Sequence, residues 1–478
     1  MRDPASFRDP AGFVYWRNGT LFRQINELHA ADWRQFEQSG LYEQLAQKGW
    51  LVEHEDASLE DAFDDRAWRV VRPSLIPFVS YPYEWTFSQL QDAALLTLDV
   101  QLLAMASGMT LKDASAYNVQ FRGGRPILID SLSFERAQDD SPWIAYRQFC
   151  QHFLAPLALM AERDVRAGLM LREFVDGIPL DLTVRLLPGR SRLSFGLLTH
   201  LHMHARSLRR HEGQIASREP VQPRLSVTRL RALLGNLRST VAGLKWEPSG
   251  TEWADYTTTT SYSEAAAASK QQLVDRFLRA TDGDWVWDLG ANTGVFSRIA
   301  AGLGRNVIAL DTDPAAAELH YRALQRDGEE RVMPLVMDLA NPSPSLGWAG
   351  RERRSLTERS NADVLVALAL IHHVAIGNNV PLADFSAYLA ELGTQLILEF
   401  VPKTDPRVAA MLSARRDVFA DYSLEGLKSA FGAEWHLVEE HVIEDSDRTL
   451  LHFRRSDRRA RDAQHQASMP LQEPLPVG

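Results

Sequence analysis

The sequence predicts an α/β fold for the C-terminal half of the chain, an open and mostly parallel sheet covered by helices, preceded by an α+β N-terminal half. Three observations carry this. Five apolar runs, ending near Asp288, Asp311, Asp338, His372 with His373, and Glu399, each close on a polar residue. A strand buried on both faces reads this way when a ligand lies at its carboxyl end. The stretches between the runs are long enough for a helix and a return, as a parallel crossover requires. The first run, WVWDLGANTGVFSRIAAGLG from Trp285 to Gly304, passes through a glycine-bearing turn straight into a helix.

Bulk properties frame the rest. At 478 residues the chain is too long for one core and divides into two or three domains. With 45% hydrophobic and 24% charged residues the composition is that of an ordinary soluble globular protein. A net charge of −10 gives no general attraction to nucleic acid or to an anionic membrane. Cys150 is the only cysteine, so no intrachain disulfide forms and a reducing cytoplasm is the expected setting. The opening MRDPASFRDPAG lacks the apolar run of a secretory signal. The longest apolar stretch, Ala93 to Met109, is broken by Asp99 and Gln101, which favours a buried helix over a membrane span.

The elements follow in chain order. VYWRNGTLFRQI reads as a hairpin with an Asn-Gly turn, and WTFSQLQDAALLTLDVQLLAMASGM as a long helix. LKDASAYNVQFRGGRPILID reads as a loop and then a short hairpin through RGGR. Amphipathic helices run from Trp143 to Arg210. HEGQIASREPVQPRL then collects glycine, proline and charge, which marks a linker and a boundary near residue 215. A helix around Val227 to Leu244 precedes WADYTTTTSYSEAAAASKQQLVDRFLRA, whose second half is a helix capped by Ser261 or Ser263. The end of the chain lacks periodicity and is rich in charge and proline, so it is expected to be disordered. The expected division is an N-terminal domain over 1–212, a linker and helix over 213–250, a second domain over 251–455 and a tail over 456–478.

The turn after Trp285 discriminates among ligands. A dinucleotide fingerprint starting at Gly290 needs further glycines where Asn292 and Val295 stand. A phosphate loop needs Gly-Lys-Ser/Thr, and Gly294 is followed by Val295 and Phe296. What remains is Asp288-x-Gly290-x-Asn292-x-Gly294. An acid two residues before the first glycine repels phosphate and suits a ligand carrying an amino group and a sulfonium.

This stretch resembles motif I of the class I S-adenosylmethionine-dependent methyltransferases. The resemblance implies a Rossmann-like seven-stranded sheet and S-adenosyl-L-methionine as cofactor. Asp288 with Gly290, Asn292 and Gly294 would position the methionine part. Asp311, 23 residues after Asp288, would take the ribose hydroxyls, and Asp338 would lie near the adenine amino group. Segments such as the one holding Tyr256, Tyr262 and Lys270 often close over the cofactor in that family, so these three are candidate lid contacts or packing and cap residues. An acceptor hydroxyl has to lose a proton, and His372 or His373 is the available general base, with one of them packing in the wall as the alternative. The Asn/Asp-Pro-Pro-Tyr/Phe element of many amino-group methylating enzymes is absent, since ALALIHHV stands there. That favours an oxygen or carbon acceptor on a small molecule.

The N-terminal half carries a second resemblance. Asp113, Asn118 five residues on and Asp130 after the hairpin are similar to the catalytic loop and metal-binding aspartate of the protein-kinase and aminoglycoside-phosphotransferase fold. The resemblance implies a kinase-like domain in which Asp113 orients a hydroxyl and Asn118 with Asp130 holds magnesium against ATP. Departures are specific: Leu111 and Lys112 replace His-Arg, Ser131 and Leu132 replace Phe-Gly, and no glycine-rich loop is present. Lys48 is the only lysine before residue 111 and does not lie on a strand-like run, which leaves Arg23 as a substitute for the phosphate-binding lysine. Two readings therefore stand, a methyltransferase whose N-terminal half recognises acceptor or partner, and a bifunctional or regulatory protein that binds Mg-ATP.

Other candidates are weaker. On a regular helix His200 and His204 share a face while His202 points away, and no carboxylate supports them, so no metal site is expected. The tryptophans are dispersed as core anchors. GRERRSLTERS, Gly350 to Ser360, is expected to form a solvated loop.

Overall fold

A computed structural model describes residues 2–207, 225–248, 263–413 and 416–456. Its strands fall into four sheets. A four-stranded antiparallel sheet has the order β1-β2-β4-β3, from β1 (Gly12–Arg17), β2 (Thr20–Asn26), β3 (His54–Ala57) and β4 (Ala67–Pro73). Two small antiparallel pairs join β5 (Met109–Leu111) to β8 (Phe134–Arg136) and β6 (Val119–Arg122) to β7 (Arg125–Leu128). A seven-stranded sheet has the order β11-β10-β9-β12-β13-β15-β14. It comprises β9 (Trp285–Leu289), β10 (Asn306–Asp311), β11 (Val332–Val336), β12 (Val364–Ala367), β13 (Gln395–Phe400), β14 (Trp435–Val442) and β15 (Thr449–Arg455). β10, β9, β12 and β13 pair in parallel, while β15 and β14 close the far edge antiparallel.

The chain forms two compact units, one from residues 1–254, 311–337 and 342–359, the other from 255–310, 338–341 and 360–478. In the first, Asn18 and Gly19 both take the left-handed conformation, as a two-residue hairpin turn between right-twisted strands demands. β1 and β2 place Phe13, Tyr15 and Phe22 against Val70 of β4, an aromatic core on one face of the sheet. The apolar run expected to be a helix is one, Phe87–Ala106, begun by a capping box of Thr86 and Gln89. RGGR turns the β6–β7 hairpin with both glycines left-handed.

The Pro314–Asp327 helix belongs to the same unit and packs on Phe87–Ala106. The Ser88 hydroxyl and amide donate to the buried Glu318, and the Tyr321 hydroxyl donates to Asp92 at 2.8 Å. The arginine-rich loop is solvated only in part, with Arg351 and Arg354 exposed and other arginines packed. Arg359 is buried in an ion pair with Glu84 at 2.5 Å, Arg353 lies 4.1 Å over the Tyr117 ring, and Arg354 pairs with Asp3. A single loop drawn from the sequence as polar is thus packed by Arg353 and Arg359, whose stems and planar heads suit aromatic surfaces.

In the second unit, β9 and β12 are buried almost throughout, as expected for parallel strands covered on both faces. Ser263, one of the two serines expected to cap, begins the Glu264–Arg279 helix by accepting the Ala266 amide at 3.1 Å. Two strands are shorter than the sequence suggests. β11 stops at Val336, two residues before Asp338, and β12 stops at Ala367, so His372 and His373 lie in a helical turn after the strand. Ser261, Tyr256, Tyr262, residues 213–224 and 249–250 of the linker and the 457–478 tail lie outside the described residues.

Candidate functional site at the carboxyl ends of the parallel strands

The turn between β9 and the Val295–Gly302 helix is built from backbone that ordinary side chains resist. Gly290 (φ 80°), Asn292 (φ 50°) and Gly294 (φ 83°) are all left-handed within five residues. Asn292 is the residue type that tolerates this, and its side chain accepts the Thr293 amide at 2.7 Å. The amides of Gly290 and Ala291 both donate to the Leu310 carbonyl at the end of β10, which fixes the mouth of the turn. Asp288 is buried on β9, and its carboxylate accepts the Ser297 hydroxyl at 2.6 Å.

Register decides what shares a face with Asp288. It pairs with Val366, which pairs with Ile397, two residues before Glu399. The period of two along a strand therefore puts Asp288 and Glu399 on one face. Glu399 is fully buried and joins Lys270 at 2.7 Å and Arg448 at 3.3 Å, while Arg448 continues to Asp405 at 2.7 Å. Lys270, expected as a lid contact or a packing residue, is 5% exposed inside this network, 4.9 Å over the Phe296 ring. Burial lowers its pKa, opposed by Glu399 and Asp288.

The two histidines differ. His372 is 2% exposed, and burial, then its neighbour His373 and Arg448, push its pKa down to about 3, so the ring is neutral. Its Nδ1 has no hydrogen-bond partner among the described residues. His373 is partly exposed, with its ring 4.1 Å from that of His372. Asp311 ends β10, partly exposed, with its carboxylate accepting the Asp313 amide at 2.8 Å. Asp338 is exposed and accepts the Ala340 amide at 2.8 Å.

In the first unit Asp113, Asn118 and Asp130 come together. Ser133 bridges Asn118 (3.2 Å) and Asp130 (2.6 Å), and Asn118 also bonds Asp113, which Gln148 holds at 2.8 Å. Burial raises the Asp113 pKa. Burial would raise that of Asp130 too, but Arg23 and Ser133 outweigh it and hold the acid ionised. The Arg23 guanidinium is paired directly with Asp130. Among the described residues no group of three or more acids, histidines and cysteines is placed to hold a metal ion. His200, Leu198–Met203 being a π-turn, is engaged by Tyr146 (2.6 Å) and Asn236 (2.8 Å) as a core histidine. No helix among the described residues is long and apolar enough to cross a membrane.

Sequence reasoning missed Ser297, Arg448 and Asp405. Ser297 carried a signal, a hydroxyl on the first turn of the helix that opens beside a buried acid. Arg448 carried only its position, one cation immediately before the apolar run TLLHF.

The fold is that of a mixed α/β protein in which Asp288 and Glu399 share one face of the parallel strands. No family model matches the chain. It is 36% identical over 463 residues to nodulation protein NoeA of Rhizobium meliloti (strain 1021), across 95% of this chain and 96% of that one, and it belongs to the NoeA family. Among solved structures it is similar to magnesium protoporphyrin IX methyltransferase ChlM from Synechocystis PCC 6803 with bound SAH (17% identical, 43% of this chain and 92% of that chain, TM-score 0.31). It is also similar to N-methyltransferase NodS from Bradyrhizobium japonicum WM9 (12%, 40% and 97%, 0.31) and to the bifunctional kinase-methyltransferase WbdD (14%, 46% and 46%, 0.29).

Proposed function

We propose that the chain is an S-adenosylmethionine-dependent methyltransferase acting on an oxygen or carbon of a small-molecule acceptor. The observation that carries this reading is the left-handed turn from Gly290 to Gly294 beside a buried carboxylate, Asp288. A phosphate would meet that carboxylate and Glu399 on the same face, whereas a group bearing an ammonium and a sulfonium is favoured there. Asp288 and the turn therefore fit the methionine part of the donor, while the ribose hydroxyls for Asp311 and the adenine amino group for Asp338 are what the resemblance implies. When bound, the donor supplies an electrophilic methyl on a charged leaving group.

The chain's own contribution is chiefly orientation, which converts a two-body encounter into a near-unimolecular one. His373 is the better general base of the pair. It is partly exposed, whereas His372 is buried and hard to protonate. The first unit is read as kinase-like in outline, a recognition module for acceptor or partner. Its Asp130 is already neutralised by Arg23, which weighs against a magnesium-ATP site.

Thermal denaturation with S-adenosylmethionine and, separately, with magnesium-ATP tests the assignment. The donor should raise the melting temperature by mass action and the nucleotide should not. A shift with magnesium-ATP alone would overturn it. A mass-shift screen of cell extract with labelled donor then finds the acceptor.

A further inference from the structure

Four charged side chains are buried in one chain of contacts in the second unit. Lys270 from the Glu264–Arg279 helix, Glu399 from β13, Arg448 at the head of β15 and Asp405 at the start of the Pro406–Ser413 helix have side chains 7%, 0%, 4% and 8% exposed. Such a network is a poor way to hold a core. Removing two ions from water costs several kcal/mol each, and apolar replacements of similar volume are often neutral or stabilising. Its placement is informative. Glu399 shares a sheet face with Asp288, Lys270 feels the Asp288 charge, and His372, whose buried Nδ1 has no hydrogen-bond partner among the described residues, feels the charges of Glu399 and Arg448. The network therefore shares a sheet face with the acid that precedes the glycine turn and is electrostatically coupled to His372.

We propose that the Lys270–Glu399–Arg448 network sets the charge of the donor site, the Glu399 carboxylate favouring a cationic sulfonium over the neutral thioether left after transfer. This rests on the donor reading above. The physical basis is the reduced screening of a buried site, in which one added or removed charge several ångströms away changes the binding of a cation and leaves that of an uncharged sulfur nearly unaffected. Transfer removes the sulfonium charge, so the network would hold the donor and loosen its grip on the product. Lys270 and Arg448 limit how far Glu399 acts, keeping the carboxylate ionised without filling the site with negative charge.

Calorimetric titration of the full chain with S-adenosylmethionine and with S-adenosylhomocysteine tests the proposal, because the two ligands share every contact except the charged methyl. Glu399→Gln should lower the donor-to-product affinity ratio on the order of five-fold, and Lys270→Met should raise it by a similar factor. Loss of packing alone would weaken both ligands in parallel, and parallel changes in both variants would overturn the proposal. Where Lys270→Met fails to show a cooperative melt, Arg448→Met is expected to shift the ratio in the same upward direction. Wild-type chain binding neither ligand would refute the donor reading itself, a result distinct from an unchanged ratio with both ligands bound.

Discussion

The Ser297 hydroxyl donates a 2.6 Å hydrogen bond to the Asp288 carboxylate, and both groups are buried. The strand end and the helix that follows it are thereby clamped across the base of the Gly290–Gly294 turn. Asp288 thus has two tasks, shaping the turn and presenting a negative charge.

The two tasks separate by mutation. Ser297→Ala removes a donor to a buried charged acceptor and should cost about 1–3 kcal/mol in urea denaturation. Asp288→Asn can keep the Ser297 bond but loses the charge, and should weaken donor binding about tenfold by calorimetry with the melting temperature little changed. Unchanged affinity in Asp288→Asn would mean the turn recognises something other than a cation.

His373→Ala should lower turnover about 10²-fold in a labelled-donor assay while donor affinity stays the same. His372→Ala should act mainly on stability, since that ring is buried and neutral. A kinetic defect in His372→Ala alone would exchange their roles.

Asp92 gives a pH signature. Burial raises its pKa to about 6, with the Tyr321 hydrogen bond opposing. The folded state then holds a proton that the unfolded chain releases near pH 4, so stability attributable to this group falls as pH rises from about 4 to about 6. Asp92→Asn, which can still accept from Tyr321, should be more stable than wild type above pH 6 by on the order of 2 kcal/mol. The difference should shrink towards pH 4 in denaturation curves taken across that window.

Arg23→Ala should lower the melting temperature, because it leaves Asp130 charged and without its cation in a largely buried place. Arg23→Lys keeps the charge but not the forked geometry and should recover only part of the loss.

Much of this was legible in the sequence because strand ends announce themselves. Asp288 and Asp311 fall on their strands as read, and the Asn18-Gly19 and Gly123-Gly124 turns are where their residue types require. The histidines were read too close to their strand because ALALIHHV is apolar without a break, and periodicity cannot show where such a run leaves the sheet. Lys270 was read as a lid contact or a packing residue, with no partner assigned. Its partner Glu399 lies 129 positions away in sequence, and no local pattern reports a pairing that only the sheet register creates. Arg353 and Arg359 of the 350–360 loop were misread for the same reason, since Glu84 and Tyr117 are remote in sequence and adjacent in the fold.

Residues 311–337 and 342–359 fold with the N-terminal portion although they are encoded within the C-terminal one. A gene cut between codons 207 and 263 would leave the upstream product without a helix and a loop it packs against, and the downstream product carrying both as foreign surface. Shuffling the two portions with unrelated partners between residues 207 and 263 should therefore yield insoluble chains.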